Sequence, residues 1–124
     1  MPYNWKGAPR RFRLGNPATV SPSARNIEWA AGIYEGEGSV KLYGRKGKSV
    51  GKNIAATVSQ KDRWLLERFE QFFGGRIVGP NKRGMSYWHV SGARARGFLM
   101  TIYGLLSPRR REQIKEKLRL HYAM

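Results

Sequence analysis

The sequence predicts an α+β domain with the element order αββαββαα. Three observations predict it. Apolar residues recur at helical spacing from Ser23, the period switches to two after Gly38, and helix followed by hairpin repeats after Asp62.

Each element has a local reason. Ser21 or Ser23 can cap a first helix through about Tyr34, with Ile27, Ala30, Ala31 and Tyr34 on one side. Val40 and Leu42 then alternate with Ser39, Lys41, Tyr43 and Arg45, and a Gly- and Lys-rich loop over residues 44–51 returns the chain. In the second strand Ile54, Ala56 and Val58 alternate with Asn53, Ala55, Thr57 and Ser59. The resulting hairpin has an aliphatic buried face and a small, polar or basic open face. Asp62 can cap a helix whose stripe is Leu65, Leu66, Phe69, Phe72 and Phe73, ended by Gly74 and Gly75.

A second hairpin follows over residues 76–79 and 85–91, turning around residues 80–84. Trp88 and Val90 point inward there, and Tyr87, His89 and Ser91 outward. A helix over residues 93–106 carries Phe98, Leu99, Ile102, Leu105 and Leu106. Ser107 before Pro108 restarts the chain as a last, basic helix with few apolar anchors, fraying near His121. The strands form one four-stranded antiparallel saddle sheet with helices on one face. Residues 1–22, proline-rich and aperiodic, are expected as a basic N-terminal arm, and residues 23–124 as a single domain.

Composition narrows the function. The 124 residues carry 24 Lys plus Arg against 8 Asp plus Glu, a formal charge of +16. None of the acids lies within residues 38–61 or 71–111, which suits a polyphosphate partner. There is no cysteine, which excludes disulfide scaffolds, thiolate zinc sites and cysteine nucleophiles. No apolar run approaches the roughly 20 residues that span a bilayer. No membrane association is expected, and the expected setting is cytoplasmic, in a bacterial or phage-host cell beside the nucleoid, with an organelle as a second setting.

The most informative stretch is residues 29–40, WAAGIYEGEGSV. Gly32 and Gly36 lie four apart on one helix face, where they let a second backbone approach closely. Each costs about 1 kcal/mol of helix stability against Ala, so something should compensate. A helix ending at Gly38 puts Glu37 at its C-terminal tip, against the dipole. A divalent cation beside it would make that placement reasonable. The bland alternative is a Gly-rich helix end with two solvated glutamates.

Residues 30–38 resemble the nine-residue motif of the LAGLIDADG homing endonucleases, with Ala30 for the leading Leu and Glu for both Asp. The likeness extends over about residues 25–120, through the element order, Val58-Ser59-Gln60-Lys61 leading into Asp62-Arg63-Trp64-Leu65-Leu66, and the turn Phe72-Phe73-Gly74-Gly75-Arg76-Ile77. A single motif implies a homodimer joined through the motif helices, with Ala31, Gly32, Glu35 and Gly36 at the interface. The resemblance makes Glu37, with Gly36 beside it, the ligand of Mg²⁺, for which Mn²⁺ can substitute. It makes Gln60 and Arg63 catalytic, with Lys61 as the alternative to Arg63. A catalytic Lys falls among Lys115, Lys117 and Arg119, of which Lys117 is carried forward.

The open face is expected to read bases through Ser39, Lys41, Tyr43, Arg45, Asn53, Thr57, Ser59, Arg76, Tyr87, His89 and Ser91. Lys46, Lys48, Lys61, Lys82, Arg83, Arg109, Arg110 and Arg111 are expected on the DNA backbone. The implied function is that of a homodimeric, Mg²⁺-dependent, site-specific double-strand DNA endonuclease. It would cut a long near-palindromic target to short 3′ overhangs and serve intron homing. The alternative is a catalytically inactive relative, either a maturase holding structured intron RNA or a DNA-binding regulator.

Overall fold

A hydroxyl, a carboxylate and a hydroxyl start three of the helices. In a computed structural model describing residues 15–44 and 53–122, Ser23 caps helix α1 (Ala24–Glu37), its Oγ accepting from the Asn26 amide at 3.1 Å. The Ser23 amide donates back to Asn26 Oδ1 at 2.9 Å, closing a capping box. Asp62 Oδ1 accepts from the Trp64 amide at 3.1 Å to start α2 (Arg63–Phe73), and Ser107 Oγ accepts from the Arg110 amide at 3.3 Å to start α4 (Pro108–His121). Helix α3 (Gly92–Ile102) follows its strand directly, without a side-chain cap bond.

Strands β1 (Gly38–Tyr43), β2 (Asn53–Gln60), β3 (Arg76–Val78) and β4 (Ser86–Ser91) form one antiparallel four-stranded sheet in the order β1-β2-β4-β3. The α+β architecture expected from the sequence is the one observed. β2 and β4, one from each hairpin, pair centrally with Val58 opposite Trp88 and Thr57 opposite His89. That register sorts the side chains. Gly38, Val58, Trp88 and Ile77 lie in one row across all four strands, and Ser39, Thr57, His89 and Arg76 in the neighbouring row, on the opposite face.

The core lies between the sheet and the helices. Trp88, Phe69, Phe73, Phe98 and Tyr34 are fully buried, with ring centroids 4.9 Å apart for Phe69–Trp88, Phe73–Phe98 and Trp88–Phe98. The inclined pairings are those that aromatic quadrupoles favour. Trp88 Nε1 donates to the Gly74 carbonyl at 2.7 Å, tying the central strand to the end of α2. Gly74 and Gly75 turn the chain there at φ of 72° and 92°, which a side chain would resist.

Four expectations change. The helix expected over residues 93–106 stops at Ile102 and tightens into a 3₁₀ turn, Tyr103–Leu105, which leaves Leu105 exposed. The end of the expected arm is docked. Asn16 exchanges backbone bonds with Gly75 at 3.0 and 2.8 Å, Ala18 is buried, and buried Arg94 donates to the Asn16 carbonyl at 3.0 Å. The rest of the arm, residues 1–14, lies outside the described residues. Ala55, at an outward position, is buried because its strand is central. His121, expected to fray, closes α4 with Nε2 at 3.2 Å from Arg96 Nη1. Among the described residues no helix is long and apolar enough to cross a membrane.

Replacing Trp88 by Phe keeps an aromatic in the cluster but leaves the buried Gly74 carbonyl without its donor. Urea unfolding should show a loss of about 1–3 kcal/mol, and an unchanged midpoint would contradict the role given to that bond.

Candidate nucleic-acid interface

The open face of the sheet follows from its alternation. Ser39, Lys41, Tyr43, Asn53, Arg76 and Tyr87 are exposed there, and Thr57, Ser59 and His89 are half-buried. Ser39, Lys41, Thr57, Ser59, Arg76, Val78, Tyr87 and His89 line a concavity of about 600 Å³. Its cations flank His89. Burial, then the Arg76 and Lys41 charges, hold the imidazole below its usual pKa, so it is neutral at pH 7. A neutral imidazole offers one donor and one acceptor to a ligand.

Three parts of the expected interface stand differently. Ser91 is only 5% exposed at the β4–α3 junction, so it is withdrawn from the face. Val78 joins the face instead, and its hydrophobicity concealed it in the sequence. Arg45, Lys46 and Lys48 lie outside the described residues. At the β3–β4 turn Lys82 and Arg83 are exposed, and Asn81 organises the loop. Asn81 Oδ1 accepts from the Arg83 and Met85 amides at 2.9 and 3.0 Å, and its Nδ2 donates to the Tyr87 hydroxyl at 3.1 Å.

Glu37 is the last residue of α1 and Gly38 the first of β1. The carboxylate is exposed and has no hydrogen-bond or ion-pair partner among the described residues. Gly38 has no room for a Cβ, which would strike the Tyr34 ring, whereas Gly32 and Gly36 have nothing within 4 Å of theirs. The glycines of the motif therefore do different work. Gly38 is fixed by packing inside the chain, and the other two face open space.

Glu35 and Ala31, expected at the interface between two copies, make contacts within the chain. Glu35 accepts from the Ser107 amide at 2.8 Å and the Ser107 hydroxyl at 2.7 Å. These bonds hold its carboxyl below the usual range. Ala31 is 2% exposed and belongs to the core of its own chain. Arg110, expected on the DNA backbone, turns back to α1, where Nε donates to the Glu35 carbonyl at 3.0 Å and Nη1 to the Gly38 carbonyl at 2.8 Å. Its guanidinium sits 5.6 Å from the Tyr34 ring centroid, and burial pushes the Tyr34 phenol up to about 12. The restart at Ser107 was readable in the sequence, but its partners came from a helix more than 70 residues earlier.

The other expected catalytic groups surround the same end of the sheet to different degrees. Gln60 lies two residues beyond Val58, the partner of Gly38, and its Oε1 accepts from the Lys61 amide at 3.0 Å. Lys61 is exposed, while Arg63 runs along α2 with Nε 3.7 Å from Glu67. Lys117 lines a cavity of about 790 Å³ between α4 and β1, with Ser39, Val40, Arg109 and Gln113. Lys115 is exposed outside that cavity, and Arg119 is paired with Glu116 at 2.8 Å. Arg109 is exposed and Arg111 half-exposed at the start of α4.

Solved structures share this fold. The homing endonuclease I-CvuI, crystallised with its target and calcium, superposes with a TM-score of 0.65 at 22% identity, over 77% of this chain and 64% of that one. LAGLIDADG meganuclease I-AabMI, bound to uncleaved DNA, gives 0.64 at 19% identity over 77% and 35% of the two chains. The chain has the LAGLIDADG homing endonuclease fold. The archaeal intron-encoded I-Vdi141I, in complex with DNA, shares this LAGLIDADG architecture at a TM-score of 0.58 and 17% identity, over 79% and 80% of the two chains. The present chain spans about 64% of the I-CvuI chain. No protein-family model and no curated protein matches the sequence.

The Glu35 bonds carry a signed pH dependence. A depressed folded-state pKa stabilises the fold above the unfolded value and ceases to do so as pH falls through the folded one. Glu35→Gln should therefore be less stable than wild type in urea at pH 7, with the gap closing below about pH 4, the unfolded carboxylate range. A gap that persists unchanged at pH 2.5 would contradict this.

Proposed function

We propose that this chain is a homodimeric, site-specific double-strand DNA endonuclease that hydrolyses phosphodiester bonds with Mg²⁺, of the homing type. The observation that carries the proposal is the unpaired Glu37 carboxylate at the helix tip, beside a basic, concave sheet face and within a LAGLIDADG fold. The homing endonuclease I-CvuI was solved with its target and, in magnesium, with DNA not cleaved, and the meganuclease I-AabMI with uncleaved DNA.

The donor set fits a shared metal. Among the described residues no group of three or more His, Cys, Asp or Glu could hold an ion within one chain. The exposed Glu37 carboxylate of each of two copies, with the Gly36 backbone beside it, would hold the ion, which would supply positive charge at the DNA phosphates. Two such carboxylates without a cation would repel. Gly32 and Gly36, open to solvent in a single chain, give two α1 helices room to cross closely, and that symmetry calls for a near-palindromic target.

Mg²⁺, or Mn²⁺ in its place, would neutralise charge at the scissile phosphate and lower the pKa of attacking water. The chain's own groups do the rest. Lys41, Arg76, Lys82 and Arg83 hold the DNA, while Ser39, Thr57 and neutral His89 read base edges. Gln60, Lys61 or Arg63, and Lys117 position the attacking water and offset developing charge. The staggered cut leaving short 3′ overhangs, and the mobility of an intron, belong to the same reading. A cytoplasmic, nucleoid-associated setting follows from it.

Incubation with a randomised duplex library and Mg²⁺ tests this directly. Wild type should cut at one near-palindromic site. Glu37→Gln should bind that site yet cut it at least about 100-fold more slowly, roughly 2.7 kcal/mol on the barrier. Tight binding by wild type without cutting in Mg²⁺ or Mn²⁺ would sink the enzyme and favour structured intron RNA as the ligand.

A further inference from the structure

Helix α1 ends on a carboxylate with no basic residue in its last turn. Its terminal carbonyls need donors, and a negative tip at the C-terminal end of a helix is electrostatically disfavoured. Both needs are met from α4. Arg110 Nε donates to the Glu35 carbonyl at 3.0 Å and Nη1 to the Gly38 carbonyl at 2.8 Å, on either side of Glu37. In return the Glu35 carboxylate accepts from the Ser107 amide and hydroxyl, at 2.8 and 2.7 Å, where α4 begins. Each helix thus supplies hydrogen-bond partners to the end of the other.

We infer that Arg110 is a positioning residue for Glu37, fixing the backbone on both sides of the carboxylate proposed to hold the metal. The inference rests on the metal role proposed for Glu37. The planar guanidinium suits the task because its fork reaches two carbonyls at once from a fixed plane. Gln113 Oε1, 3.2 Å from Nη1, and the face of Tyr34 hold that plane in place. Arg110 acts without touching the metal or the DNA, so its loss should leave DNA binding intact while loosening the ligand.

The test compares wild type with Arg110→Met and Arg110→Lys, the latter keeping the charge without the fork. In the free protein, amide exchange at Gly38, whose N–H bonds to the Tyr34 carbonyl, should accelerate in both variants while the α2 amides hold their rates. In the complex with the duplex selected by wild type, electron paramagnetic resonance counts bound Mn²⁺. Half-occupancy should require about tenfold more metal in both variants, equivalent to about 1.4 kcal/mol, with DNA affinity within about threefold. Unchanged Gly38 exchange and Mn²⁺ occupancy in Arg110→Lys would overturn the inference, as would equal acceleration of every amide. A wild-type complex that binds no Mn²⁺ would instead overturn the metal role of Glu37, and Gly38 exchange would still decide whether the clamp exists.

Discussion

The ring of Tyr34 against the α-carbon of Gly38 is the constraint on which the rest depends. No side chain fits at position 38, so the helix can pass straight into the first strand, with Gly38 in extended conformation at φ −85° and ψ 162°. That abrupt change of direction leaves Glu37 at the corner, where the helix end meets the sheet. It also sets the phase of β1. With Gly38 opposite Val58, Ser39 and Lys41 must fall on the open face and Val40 and Leu42 on the core face.

A division of labour follows across the sheet. The helix side is apolar and closely packed, with aromatic rings from α1, α2, α3 and β4 in one cluster. Among the described residues the cations of the other side have no ion pair, because the acids lie on helices or, for Asp62, at a helix cap. Glu67 and Glu116 pair with Arg63 and Arg119 on their own helices, and Glu35 is engaged with Ser107. Such pairs on exposed helix surfaces contribute little to stability. Their absence from the sheet leaves its field positive, which draws in a polyanion at a rate that salt would reduce.

Much of this was readable in the sequence for local reasons. The caps at Ser23, Asp62 and Ser107 act within a few residues, and the strands show their alternation directly. The central pairing of β2 with β4 was not readable, since nothing in either hairpin encodes its register against the other. The same holds for the site. Glu37 and its glycine neighbours stood out as a motif, and the open-face residues followed from the period. The tasks of Glu35 and Arg110 depend on contacts between the first helix and the last. Arg110 was indistinguishable from Arg109 and Arg111 in a basic run until the fold turned it inward. The docking of residues 16–20 on α2 and Gly75 likewise depends on backbone bonds that carry no composition signal.

Anomalous scattering from Mn²⁺ in crystals of the protein with its selected duplex would test the central claim most directly. The account predicts manganese at the two-fold axis between two copies, within coordinating distance of both Glu37 carboxylates and of DNA phosphate oxygens, and absent in Glu37→Gln. A single copy on the DNA, or manganese held elsewhere with Glu37 pointing into solvent, would contradict it.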